Sequence, residues 1–207
     1  MQKIVLVTAG LVSIAIAAAA FWFSLPGSNQ PQSLATVNVD VAEIGGPFVL
    51  TRQDGVRVTS DELIDGPTLI YFGYTSCPDV CPVDVQLMAM ATDLLAERGI
   101  EVTPVFITID PARDTPEVMR NFVEAMHPSM IGLTGSEEDI RKAADAYKVY
   151  YAKVETEGSD DDFLMNHAAF TYFMLPDGIA ALFRRGFPAE EIADEIERVL
   201  RARGLTG

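Results

Sequence analysis

The feature that most constrains this chain is a pair of cysteines at a predicted strand-to-helix turn. Cys77 and Cys81 are its only cysteines. An apolar run at residues 69–74 predicts a strand before them, and residues 82–98 predict a helix after them. The free N–H groups and the positive dipole at a helix start favour a thiolate over a thiol. A spacing of four residues brings both sulfur atoms to one face once the first turn is helical, so the pair can close a disulfide or bind a soft metal ion.

Strands and helices alternate along the rest of the chain. This alternation predicts an α/β fold in which helices flank a mixed sheet, with an N-terminal β-hairpin around Asp54-Gly55. A cysteine pair at the carboxyl end of a strand is the thioredoxin-like arrangement. The other predicted elements are strands at 105–109 and 130–133, helices opening at 114–117, Ser136 and Pro188, and a second hairpin around 176–178.

Several segments near the cysteines carry predictions that the structure can test. Residues 150–162 end in an acidic run at 157–162, and this run predicts a solvated loop. Asp114 is predicted to cap the helix after it, and His127 to end that helix at the surface. The helix after the cysteines is predicted to bury Val83, Leu87, Met90, Ala91, Leu94 and Leu95.

The N-terminal segment predicts a membrane anchor. Residues 4–25 are almost wholly apolar, and as a helix they reach about 33 Å, enough to cross a hydrocarbon core of about 30 Å. Lys3 favours a cytoplasmic N-terminus. We therefore expect an uncleaved transmembrane anchor at 1–25, a flexible tether at 26–40 and a folded domain at 41–207, held on the periplasmic side of a bacterial inner membrane. A cleaved signal peptide is the alternative, although its apolar region is usually shorter.

The charge of the chain argues against one class of partner. The formal net charge is −15. A surface this acidic is repelled by the phosphates of nucleic acids, so we expect no nucleic-acid partner. The acidity is compatible with a basic protein partner, or with solubility alone.

His167 is the candidate third member of the cysteine site. It lies directly before a predicted strand at 168–175, and in a thioredoxin-like sheet the start of that strand lies beside the cysteine turn. Structural zinc and iron–sulfur clusters generally take four protein ligands. Two thiolates suit Cu(I), and an added imidazole allows the same pocket to hold Cu(II).

These residues resemble the SCO/SenC family, the thioredoxin-like copper chaperones of cytochrome c oxidase assembly. The resemblance spans roughly residues 41–199. It rests on the runs 71–82 (YFGYTSCPDVCP) and 107–116 (ITIDPARDTP), and on a histidine ahead of the Pro-Asp-Gly turn at 176–178.

The resemblance implies a ligand set and a partner. Cys77, Cys81 and His167 would bind one copper ion per domain, with the Asp110 carboxylate close to the site. The recipient would be the cytochrome c oxidase subunit that carries the binuclear copper site. One departure is Asn166, which stands where the family usually has an acid; its amide can still hydrogen-bond the imidazole but brings no charge.

Three functions remain open from the sequence. The first is copper delivery without turnover. The second is a thiol–disulfide oxidoreductase that reduces cysteines on a partner, such as those of the same oxidase subunit. The third is a peroxidase, which we expect Asp79 and Asp84 to oppose by raising the thiol pKa. His167 separates the first two functions, because a disulfide reductase does not need that imidazole.

Overall fold

The computed structural model describes residues 44–155 and 163–205. Its strands are β1 (Val49–Arg52), β2 (Arg57–Thr59), β3 (Thr68–Gly73), β4 (Thr103–Thr108), β5 (Ile131–Thr134), β6 (Tyr151–Glu155), β7 (Phe163–His167), β8 (Phe170–Leu175) and β9 (Gly178–Arg184). Its helices are α1 (Ser60–Leu63), α2 (Val80–Glu97), α3 (Pro116–Met126), α4 (Glu137–Ala146) and α5 (Ala189–Ala202).

A mixed sheet of seven strands forms the centre of the fold, in the order β2-β1-β5-β4-β3-β8-β9. Strand β3 is parallel to β4 on one side and antiparallel to β8 on the other. All six of its residues are buried, because an apolar run covered on both faces of a sheet is excluded from water. The predicted thioredoxin-like α/β fold and the predicted N-terminal hairpin β1–β2 are confirmed.

The chain leaves the central sheet between α4 and β8. Strands β6 and β7 pair antiparallel with each other, with Tyr151 opposite His167 and Glu155 opposite Phe163. The loop predicted for the acidic run at 157–162 lies outside the described residues, and the strand β6 that precedes it was not predicted. Aromatic and β-branched residues at 150–154 favour a strand, but the acidic run that follows obscured this signal.

Helix α2 presents a different face to the core from the one that its sequence predicts. Val83 and Met90 were expected inside but are 55% and 45% exposed, whereas Asp84 is buried. The Asp84 carboxylate accepts hydrogen bonds from the Tyr71 hydroxyl at 3.1 Å and the Gly186 N–H at 2.8 Å. These partners satisfy the carboxylate, so a polar residue can occupy the buried face of α2. A prediction from apolar spacing alone therefore places the buried face part of a turn away from its observed position.

The predicted anchor at 1–25 and tether at 26–40 lie outside the described residues. Within 44–155 and 163–205, none of the helices combines the length and apolar character that a membrane crossing requires.

Candidate metal centre

The two cysteines lie on either side of the start of α2. Cys81 belongs to the first turn of the helix, while Cys77 lies in the loop before it, so they do not share a helical face as the spacing suggested. Instead, the Cys77 sulfur accepts the Cys81 backbone N–H at 3.4 Å. Asp79, at the N-cap position, makes no side-chain cap hydrogen bond. The Cys77 sulfur therefore accepts one of the N–H groups that a capping side chain would otherwise satisfy.

Cys81 lies directly against the main chain of β3. Its side chain is completely buried. A Cβ atom added to Gly73 would lie 3.0 Å from the Cys81 sulfur and 2.9 Å from both the Phe106 and Tyr71 rings. Glycine at position 73 is thus required by the close approach of the sulfur to the backbone.

His167 reaches the cysteine turn from the end of β7. Its Nε2 lies 3.3 Å from the Cys81 sulfur, and its Nδ1 lies 3.2 Å from the Ala168 carbonyl oxygen. A carbonyl can only accept, so the Nδ1–H donates to it and Nε2 presents a lone pair toward the sulfur. Burial lowers the pKa of His167 and so favours the neutral imidazole. The Ala168 carbonyl and the charge of Asp84 oppose this shift only in part.

Two tyrosines hold the imidazole in place. The rings of Tyr71 and Tyr74 meet it edge-on, with ring centroids 6.3 and 6.2 Å away. Tyr71 is anchored in turn by its hydrogen bond to Asp84. The ring orientation is therefore fixed by packing as well as by the Ala168 carbonyl.

The pKa values of the two thiols are shifted in opposite directions. Burial alone would raise the pKa of Cys77, but the N–H groups of Asp79 and Cys81 stabilise its thiolate and the pKa falls below its ordinary value. Burial raises the pKa of Cys81. The expectation that Asp79 and Asp84 raise the thiol pKa is wrong for Cys77, because the Asp79 main chain acts on it as a hydrogen-bond donor.

Asp114 supports the cysteine turn, a role that the sequence did not indicate. Its fully buried carboxylate accepts hydrogen bonds from the N–H and hydroxyl of Thr75 and from the Thr108 hydroxyl. The residue that caps α3 is Thr115. Pro116, at the first helical position, was the available signal, because it makes Thr115 the residue directly before the helix.

The Asp110 carboxylate makes no hydrogen bond to Cys77, Cys81 or His167. Its buried carboxylate pairs with Arg113. Arg113 in turn donates to the Phe163 carbonyl at 3.2 Å and stacks over the Phe163 ring, 3.9 Å from its centroid. Asp110 thus acts on the strand that carries His167 through Arg113.

Asn166 and His127 lie away from the donor atoms. Asn166 is exposed, since neighbouring residues of a strand point to opposite faces, and the Nδ1 partner of the imidazole is the Ala168 carbonyl instead. His127 ends α3 and contacts Asp93 and Ser129. Its predicted role as a helix end is confirmed.

The arrangement offers two thiols and one imidazole, and both cysteines are free. Within the described residues, no three His, Cys, Asp or Glu side chains lie close enough together to form a metal-binding group. Two of the candidate donors, Cys81 and His167, are in direct contact, and the third borders the Cys81 main chain. Sulfur and imidazole donors of this kind suit a copper ion, and a dithiol can also exchange with disulfides.

Comparison with known proteins gives a consistent result. The sequence model of the SCO1/SenC family matches residues 37–201. Protein SenC of Rhodobacter capsulatus is 48% identical over 156 residues, covering 75% of this chain and 70% of that protein.

Two solved structures are similar along most of the domain. Arabidopsis thaliana ScoI with copper bound has a TM-score of 0.72 and 40% identity, covering 77% of this chain and 99% of that one. Bradyrhizobium japonicum ScoI with copper bound has a TM-score of 0.68 and 40% identity, covering 76% and 99%. From its sequence, its fold and these relatives, the chain belongs to the SCO1/SenC family.

Proposed function

We propose that this protein is a copper-delivery protein of cytochrome c oxidase assembly. Cys77, Cys81 and His167 would bind one copper ion, which passes to the binuclear copper site of the oxidase subunit that carries it. The observation that carries the proposal is the 3.3 Å contact between Cys81 Sγ and His167 Nε2, made across 86 residues of sequence. The copper-bound ScoI relatives support the choice of metal.

The chemistry of each donor fits a carrier of copper. The Cys77 thiol loses its proton readily, and the neutral imidazole presents Nε2 without first having to deprotonate. Cys81 has a raised pKa, so copper must displace its proton on binding. Three ligands leave a coordination position open, through which an acceptor can remove the ion by ligand exchange.

The test is a copper titration of the full-length chain and of two variants, since the chain has two histidines. His167→Ala should weaken copper binding about 100-fold or more, because it removes a ligand, and it should alter the sulfur-to-copper charge-transfer absorption. His127→Ala, at the end of α3, is the matched control and should bind like the parent. Equal affinity of His167→Ala and the parent would refute the three-ligand site.

A second candidate function is a thiol–disulfide oxidoreductase acting on the cysteines of the oxidase copper site. The lowered pKa of Cys77 favours it, because a thiolate attacks a partner disulfide and the second thiol then resolves the mixed disulfide. The partner gains two electrons and this dithiol becomes a disulfide. His167→Ala should leave that redox couple nearly unchanged, which separates the two functions.

The domain arrangement belongs to the same proposal. Residues 1–25 would anchor the chain in a bacterial inner membrane, residues 26–40 would tether it, and residues 41–207 would form the copper-binding domain in the periplasm. The apolar content of residues 4–25 supports this arrangement.

A further inference from the structure

A cavity of about 440 Å³ opens beside the proposed copper site. Val80, Met165 and Phe170 supply apolar surface to it, and His167 forms part of its wall. Val80 directly precedes the second cysteine of the pair. A molecule bound in this cavity would therefore touch the residues that hold the metal.

Two consecutive arginines line one side of this cavity. Arg184 ends β9 and is followed by Arg185, and both are exposed. Arg185 lies 3.7 Å from Asp79, a long and solvent-exposed ion pair. Among the arginines in the described ranges, Arg184 is the one whose guanidinium has no carboxylate, hydrogen-bond or aromatic partner within those ranges. The others contact carboxylates, the Gln53 carbonyl or the Tyr151 ring.

The negative charge of the remaining surface makes these arginines a preferred contact point for carboxylates. The chain carries a formal net charge of −15, so most of its surface repels carboxylates. A carboxylate-bearing partner can approach closely at Arg184, whose guanidinium is unpaired among the residues that the structure describes. Complementary charge at one spot orients an encounter more than it adds affinity.

We infer that this cavity docks a segment of the copper acceptor in which carboxylates flank an apolar side chain. The inference rests on the proposed function. The apolar side chain enters between Val80, Met165 and Phe170, and a carboxylate pairs with Arg184. This placement brings the acceptor against His167, where its own ligands can replace those of the carrier.

The experiment compares two charge reversals of equal size in the full-length, metal-free chain. Arg184→Glu removes the cation beside the cavity. Arg120→Glu is the matched control. Arg120 lies on α3, is also exposed, and donates a hydrogen bond to the Gln53 carbonyl. The probe is the copper-free oxidase subunit that carries the binuclear copper site, and its association rate is measured at low and high salt.

We expect Arg184→Glu to lower the association rate constant about tenfold at low salt relative to Arg120→Glu. The difference should disappear at about 1 M salt, where the Debye length is about 3 Å. Equal rates for the two variants, faster association of Arg184→Glu, or no association of the parent chain would each overturn the docking inference.

The design keeps this inference separate from the copper proposal. Copper loading of Arg184→Glu should equal that of the parent, because Arg184 contacts none of the proposed ligands. If the parent chain fails to load copper, the proposed function is refuted, while the association rates still report on docking.

Discussion

The cysteine turn and the β6–β7 hairpin contribute different donors to one site, and they are held in very different ways. The cysteine turn directly follows β3, whose residues are all buried. Two buried carboxylates, Asp84 and Asp114, connect the turn and the start of α2 to neighbouring elements. The hairpin pairs only with itself and lies outside the central sheet. Cross-strand partners Val154 and Leu164 are both more than 40% exposed on its outer face.

This difference separates two requirements of a metal carrier. The thiols are positioned by the core of the domain, so their geometry is as stable as the fold. The imidazole is carried by a hairpin outside the central sheet, which is held to the domain by side-chain contacts such as those of Phe163 with Arg113 and of His167 with Tyr71 and Tyr74. Elements with little buried surface open at a lower free-energy cost than the global unfolding of a domain. We therefore expect the hairpin that carries His167 to open at a lower free-energy cost than the cysteine turn.

The largest expected effect comes from breaking the attachment of the cysteine turn. Asp114→Ala leaves the N–H and hydroxyl of Thr75 and the hydroxyl of Thr108 without their acceptor. Buried donors without partners are costly, so the free energy of unfolding should fall by about 3 kcal/mol in denaturant titrations.

The control for that experiment is an exposed aspartate in an ion pair. Asp177→Ala removes the contact with Arg203 at the surface, and we expect a loss of less than about 1 kcal/mol. Similar losses for Asp114→Ala and Asp177→Ala would contradict the claim that the cysteine turn depends on the buried carboxylate.

An intermediate effect should separate the two thiols within the turn. Because the pKa of Cys77 is lowered while burial raises that of Cys81, iodoacetamide should modify Cys77 at least about tenfold faster near neutral pH. The Cys77 rate should rise with pH and level off below the ordinary pKa of a thiol, since its thiolate forms earlier. Peptide mass mapping measures both rates, and faster modification of Cys81 would reverse the assignment.

The smallest effect on global stability should come from the hairpin. The Phe163 ring lies between Arg113 and the Lys153 ammonium, which is 3.8 Å from its centroid. Phe163→Ala removes both contacts and should lower the unfolding free energy by about 1 kcal/mol. It should nevertheless weaken copper binding about tenfold, because His167 loses part of its support.

Hydrogen exchange can locate that change. In Phe163→Ala, the amides of β6 and β7 should exchange faster while those of β3 and β4 keep the parent rates. Uniformly faster exchange through the whole domain would show that the hairpin is not an independent unit, and the comparison between the two regions would fail.

The sequence predicted the fold and the donor residues better than it predicted how they are supported. The alternation of apolar runs and helix signals identified β3, the cysteine turn and the hairpin β1–β2, because these patterns follow directly from burial. The contact between Cys81 and His167 agrees with the expectation that the start of the strand after His167 lies beside the turn.

The supporting residues depend on contacts between distant segments, which local patterns do not contain. Asp84 was not among the residues that the apolar spacing of α2 placed inside, yet Tyr71 and Gly186 allow its burial. Asp114 looked like a helix cap, yet its partners lie at Thr75 and Thr108. In both cases the polar group is inside because specific donors satisfy it, and hydrophobic spacing records only the apolar part of a core.

The close contact of Gly73 with the Cys81 sulfur closes one side of the site. At position 73, beside the sulfur, a methyl group would lie 2.9 Å from both the Phe106 and Tyr71 rings and so does not fit. If the protein exchanges copper with a partner as proposed, we expect the ion to pass on the opposite side, past Val80 and His167. In that case, the absence of a side chain at position 73 would help to set the side from which an acceptor approaches.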